Sequence, residues 1–245
     1  MTDREIKLEA LSILCNVSVT SLQSQQYQLQ GASLGKWVGL AMPITGFITA
    51  LMGSSPQTQR GGILINEEEF FDPKYDYDFT DLKDTETYYR GGEVYERPCG
   101  WKRYGLKVLD KYPDGNSWLG ERGCCTSTDS KPGEWPVSYH GTSKKGAQGI
   151  IITKFEAGPR QLYGRGIYST PYMSEALQFT KTFTSSSTGA RYQVVLQNRV
   201  NPKYREKHNN DKYWLVPIPE GLSKDQEEEI AEKAIRPYAL LLKRL

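Results

Sequence analysis

Residues 136–150 read PVSYHGTSKKGAQGI and contain His140, one of only two histidines in the chain. Val137 to His140 has strand character. Gly141 permits a close backbone approach, and Thr142 or Ser143 suits the first position of a helix over the residues that follow. A histidine at a strand end is often a packed structural residue. Beside a Gly-Thr step it is also placed to meet a ligand.

Downstream, YGRGIYSTPYMSEALQF (163–179) puts Tyr168 on a second strand, entered through Gly164 and Gly166. Pro171 then starts a helix expected to run through Met173, Ala176, Leu177, Thr180 and Phe183, with Phe179 on it. The intervening TKFEAGPRQLYGRG (153–166), which holds Arg160, reads as a loop. RYQVVLQNRV (191–200) reads as a buried strand, NPKYREKHNND (201–211) as a polar loop and YWLVP (213–217) as a strand. Ser223 and Gln226 cap a short helix, and RPYALLLKRL (236–245) closes the chain as a strand. Strands mixed with short helices imply an α+β fold rather than a parallel βαβ sheet.

Upstream, residues 62–125 are rich in Tyr, Trp, Gly and Pro, with a turn at Pro113–Gly115, and read as short strands whose aromatics fill a core or pack one layer on another. At the start, Thr2 to Glu5 form a capping box, and Ile6, Ala10, Leu11 and Leu14 recur at helical spacing, predicting a helix over about 3–15. A Gln/Ser-rich linker follows. From Trp37 to Gln59 no residue is charged, and Gly31, Gly35 and Gly39 stand four apart. That stretch is open to three readings: a buried hairpin, a membrane-active segment or a disordered tail. Burial or loose packing is expected over membrane contact through Gly31–Met52, because its apolar part is short for a span. The organisation expected is an N-terminal extension, 1–60, and one α+β domain, 61–245, with an aromatic lead-in (61–130) and a core (131–245).

The whole chain of 245 residues carries a net charge of +2, with 38% hydrophobic and 24% charged residues. A globule of this size buries about 70–75% of its unfolded surface and needs no staples. Charge is uneven. Asn66 to Glu86 holds nine acids and two bases, a solvated face, whereas His140 to Tyr213 holds twelve bases and four acids. That basic stretch suits an anionic ligand or a nucleic acid, or is a set of scattered surface lysines. The four cysteines, Cys15, Cys99, Cys124 and Cys125, match no zinc spacing, so no metal is expected. A charged start at Met1–Ala10 and free thiols lead to an expected intracellular, cytoplasmic setting, with the nucleus left open.

Breaking a glycosidic C–N bond calls for a flat aromatic clamp on the leaving group, a backbone anchor for its amide, and a hydrogen-bonding side chain at the ribose. His140, Gly141, Tyr168 and Phe179 are residues of those types. In the motifs YHGT, GRGIY and SEALQF, and in the order of the later strands, the chain resembles the diphtheria-toxin-like ADP-ribosyltransferases of the poly(ADP-ribose) polymerase type, over about residues 137–245.

The resemblance implies a fold of two small packed sheets, mixed or antiparallel, with short helices, and NAD+ as the ADP-ribose donor. His140 would bond a ribose hydroxyl, and Gly141 would hold the nicotinamide carboxamide through its backbone. Tyr168 and Phe179 would sandwich the ring, Thr142 would lie near the adenosine, and Arg160 would meet the pyrophosphate. Where the family carries its catalytic glutamate, this chain has Lys212, with Asp211 one residue away and Gln197 on the preceding strand as polar substitutes. Ala176 replaces a serine that bonds the nicotinamide amide. These departures argue against chain formation. They leave a mono-ADP-ribosyltransferase, a glycosyltransferase acting on a protein or nucleic-acid acceptor, and an inactive module of the same fold that binds NAD+, ADP-ribose or a protein partner. A membrane-associated scaffold is a third, more distant reading.

Overall fold

The computed structural model describes residues 3–15, 18–23, 63–120, 127–141 and 158–245. Thr142, the helix expected after it, the stretch Gly31–Met52 and Cys124–Cys125 lie outside the described residues. The chain runs through helix α1 (Asp3–Cys15), strands β1 (Val19–Ser21) and β2 (Ile63–Ile65), helix α2 (Glu67–Phe70), and strands β3 (Tyr77–Asp78), β4 (Tyr89–Arg90), β5 (Glu93–Val94) and β6 (Lys102–Gly105). Then come β7 (Val137–His140), β8 (Gly158–Gln161), β9 (Gly164–Ser169), helix α3 (Met173–Leu177), β10 (Lys181–Thr184) and β11 (Arg191–Val200). Strands β12 (Glu206–His208) and β13 (Tyr213–Pro217), helix α4 (Lys224–Ala234) and strand β14 (Ile235–Arg244) complete it. The fold is α+β, with mostly antiparallel sheets and few, short helices.

The main sheet has the order β10-β11-β14-β6-β3, with β7 also paired to β11. β11 and β14 pair antiparallel from Tyr192–Arg244 to Val200–Ile235, with a bulge between Gln197 and Asn198. Both strands are buried on both faces along most of their length, through the apolar runs Val194–Leu196 and Ala239–Leu242. Val195, Ala239 and Leu241 enter one core cluster. Val194, Leu196, Leu240 and Leu242 enter the other.

The second sheet, β12-β13-β9-β8, packs into that second cluster through Ile167, Trp214 and Val216, beside Ala231 and Ala234 of α4. The aromatic stretch fills the first cluster with Tyr88, Tyr95, Trp101 and Trp118, against Val137 and Tyr139. Helix α1 spans both, Leu11 and Cys15 in one and Ala10 and Leu14 in the other, all essentially inaccessible. The described part of the N-terminal extension therefore packs on the rest of the molecule.

A buried charge cluster ties the aromatic layer to β11. The Glu134 carboxylate is buried and lies 3.4 Å from Arg199 Nη1 and 3.9 Å from Arg90 Nε. It also accepts from the Gly91 and Lys131 amides. Arg236 lies over the rings of Tyr112, Trp118 and Trp135 at 3.9, 5.1 and 4.5 Å. These rings hold an internal guanidinium.

Three local expectations are corrected. The helix after Pro171 stops at Leu177 rather than continuing to Phe183. Thr180 Oγ1 donates to the Leu177 carbonyl at 2.9 Å, and the Thr-rich stretch that follows takes up strand β10, with Phe183 in the core. Part of the presumed loop around Arg160 is β8, and part of the polar loop 201–211 is β12.

Candidate functional site

One edge of β11 is shared by two strands. Lys181 of β10 pairs with Val194, and His140 of β7 pairs with Leu196. The partner changes between those positions, and α3 lies where β7 and β10 part. Across the same place the two sheets touch, because Tyr139 of β7 bridges to Thr170 just beyond β9. A cleft of about 430 Å³ opens there, and its lining includes His140, Gly141, Tyr168, Phe179 and Tyr213. A volume of this order suits the ring and sugar of a small ligand.

His140 ends β7 with its ring against β9. Its Nδ1 lies 2.6 Å from the Tyr168 main-chain carbonyl. A carbonyl only accepts, so Nδ1 carries the proton. Burial pulls the imidazole below its usual range, against the opposing effect of that carbonyl. The ring is therefore neutral near pH 7, and Nε2 is its acceptor nitrogen.

Gly141 has a packing reason to be glycine. A Cβ there would stand 2.5 Å from the Ala176 carbonyl oxygen and 2.8 Å from the Phe179 carbonyl carbon. The end of α3 thus rests directly on the exit of β7. Fixed in this way, Phe179 keeps 46% of its surface exposed while lining the cleft. It follows the helix rather than occupying a helical core position, and simple burial does not describe it.

Tyr168 faces away from the core that holds Ile167. Its hydroxyl donates to the Gly164 carbonyl at 2.9 Å and accepts from the Tyr163 amide at 3.0 Å. Burial pushes the phenol up, so it stays protonated. Both bonds run to the β8–β9 turn, which pins the ring at one wall of the cleft. Gly166 carries no side chain because a Cβ would come within 2.2 Å of the Val216 carbonyl oxygen on β13.

The expectation for Lys212 is corrected by one residue. Asn209, Asn210 and Asp211 have φ of 52°, 52° and 63°, a left-handed turn that Asn and Asp tolerate. The chain leaves that turn with Trp214 and Val216 facing the core. Alternation then puts Tyr213 on the Tyr168 side of the sheet, and Tyr213, not Lys212, lines the cleft. Lys212 Nζ pairs with Glu175 Oε1 at 3.2 Å. Asp211 pairs with Lys207.

Gln197 does not reach the cleft either. It is fully buried, and its Nε2 donates to Tyr95 Oη at 3.0 Å. Arg160 belongs to β8, and the position of its side chain lies outside what is described.

Sequence reasoning missed Tyr163, Leu162 and Tyr213 as cleft residues. For Tyr213 the signal was present, since reading Trp214 and Val216 as inward-facing fixes it. Tyr163 stacks on His208 with centroids 4.5 Å apart and planes 13° from parallel. Leu162 sits at the rim, 85% exposed.

Several bases of the positive stretch meet acids distant in sequence. Arg165 pairs with Glu227, Lys207 with Glu93, and Arg199 with Glu134. Among the described residues, no helix is long and apolar enough to cross a membrane. No known family profile matches the chain, and no curated protein matches it either.

Proposed function

We propose that this protein is an NAD+-dependent mono-ADP-ribosyltransferase with a poly(ADP-ribose) polymerase-like core, acting on a macromolecular acceptor, with protein favoured. The observation that carries the reading is the convergence of His140, Tyr168 and Phe179, remote from one another in sequence, on one cleft beside the Gly141 backbone. A pinned tyrosine and an exposed phenylalanine offer two faces for a flat nicotinamide ring, with offset stacking as the attraction. The Gly141 main chain is accessible at the same wall for the carboxamide. The neutral His140 presents an acceptor nitrogen suited to a ribose hydroxyl.

In this scheme the bond between ribose C1′ and nicotinamide breaks, and its electron pair leaves with the nicotinamide nitrogen. An acceptor oxygen or nitrogen bonds to C1′ and releases its proton to solvent. The residues of the cleft orient the donor and exclude water from one face. Pairing within the basic stretch favours a protein acceptor over a nucleic acid, because part of that charge is already neutralised internally.

The second reading, a module that binds NAD+ or ADP-ribose without turnover, draws on the absence of any carboxylate among the described residues that line the cleft. Incubation of the purified chain with labelled NAD+ tests both. Label transferred to itself or to lysate proteins, and lost in His140→Ala and Tyr168→Ala, supports the transferase. Saturable binding without transfer supports the module, and neither result refutes both.

A further inference from the structure

An oxocarbenium forming at the ribose is stabilised by an electron-rich group beside it. Among the described residues, the lining of the cleft holds no carboxylate. One stands immediately behind the wall: Glu175 on α3, with its side chain only 14% exposed. Its Oε2 accepts from the Tyr213 hydroxyl at 3.2 Å and from Gln178 Nε2 at 3.1 Å, while Oε1 accepts from Lys212 Nζ at 3.2 Å. Tyr213 lines the cleft and Glu175 does not.

We propose that Glu175 is a positioning residue that acts through Tyr213, polarising its phenol so that the phenol oxygen serves as the electron-rich group facing the ribose; this rests on the transferase reading above. With its proton committed to Glu175, Tyr213 Oη turns its lone pairs toward the cleft. There it accepts a hydrogen bond from a ribose hydroxyl, and that bond strengthens as positive charge develops on the sugar. The acid function is thus carried from a helix rather than from the strand that lines the site. Burial and the nearby carboxylate both push the Tyr213 phenol up, which keeps the proton on the phenol and the oxygen an acceptor rather than a phenolate. Lys212 draws on the same carboxylate, and so weakens the polarisation instead of replacing it.

The test compares the full chain with Glu175→Gln, Tyr213→Phe and the double variant, reading nicotinamide release and NAD+ affinity together. Each single change is expected to lower kcat by about 10-fold or more while KM moves less than about 3-fold, the pattern of an interaction gained in the transition state. The double variant is expected to fall no further than the worse single, since both changes remove one linked device. Wild-type turnover with Glu175→Gln equal to it overturns this inference alone. Losses that multiply in the double variant do the same, because they make the two residues independent. Binding without turnover in the wild type overturns the inference and the transferase reading together, and a wild type that neither binds nor cleaves NAD+ removes the cleft assignment as well.

Discussion

The His140 imidazole donates through Nδ1 to the main-chain carbonyl of Tyr168, 2.6 Å away, and so joins the last residue of β7 to the next-to-last residue of β9. This bond spans the junction of the two sheets and fixes the tautomer that leaves Nε2 as acceptor. Burial lowers the histidine pKa below its usual value of about 6.5. The folded protein therefore holds the ring neutral where the unfolded chain would begin to protonate. Stability from this group is complete above about pH 6.5 and declines as pH falls below it. NAD+ affinity is expected to be flat from neutral pH upward, with an acid limb that begins only at the lowered pKa of the folded protein and that His140→Gln removes. Titrations across that range check it.

Tyr168 separates two contributions. Tyr168→Phe keeps the ring and removes its bonds to Gly164 and Tyr163, each worth about 0.5–1.5 kcal/mol. Tyr168→Ala removes the ring itself. Affinity for NAD+ is expected to fall modestly in the first and much further in the second. Equal losses would show that the hydroxyl, not the face of the ring, does the binding.

Gly141→Ala drives a methyl into the backbone of the α3 exit, where 2.5 Å is all the room to the Ala176 carbonyl oxygen. Overpacking of this kind costs about 1–3 kcal/mol. The denaturation midpoint is expected to drop, and Phe179 to move out of register with Tyr168. A variant as stable as wild type would mean that α3 yields without cost.

Glu134→Gln leaves Arg199 and Arg90 without their buried carboxylate. Removing one member of a buried ion pair costs about 3–5 kcal/mol. Equilibrium unfolding is expected to show a loss of that order, while NAD+ affinity per folded molecule stays at the wild-type value, since none of these groups lines the cleft.

Lys212→Met withdraws the cation 3.2 Å from Glu175. Turnover is expected to rise, measured as nicotinamide release at saturating NAD+. A fall would return Lys212 to the role that its place in the motif suggested.

Strands β7, β9, β11, β13 and β14 and the cleft wall were legible because their signals are local, whereas the polar β8 and β12 read as loops. RYQVVLQNRV, built around Val194–Leu196, and the apolar YWLVP are bounded by polar loops, and β11 and β13 match them residue for residue. His140 and Tyr168 lay at strand positions set by flanking glycines. The length of α3 was not legible, because Phe179 and Phe183 fit a helical period as well as they fit the turn and strand they occupy. Lys212 was misjudged for a different reason: its place in the motif was followed over the alternation of YWLVP, in which inward-facing Trp214 and Val216 already turn Tyr213 toward the cleft. Glu175 stayed hidden because its link to Tyr213 spans 38 residues and depends on how α3 sits against β13.

Calorimetric titration of NAD+ into the wild-type chain and into Tyr168→Ala addresses the cleft most directly. Saturable one-site binding is expected in the wild type, weakened at least about 10-fold without the aromatic wall, given the stacking and apolar contact that a buried ring supplies. No binding, or the same affinity in both proteins, would contradict the assignment of this cleft to the dinucleotide.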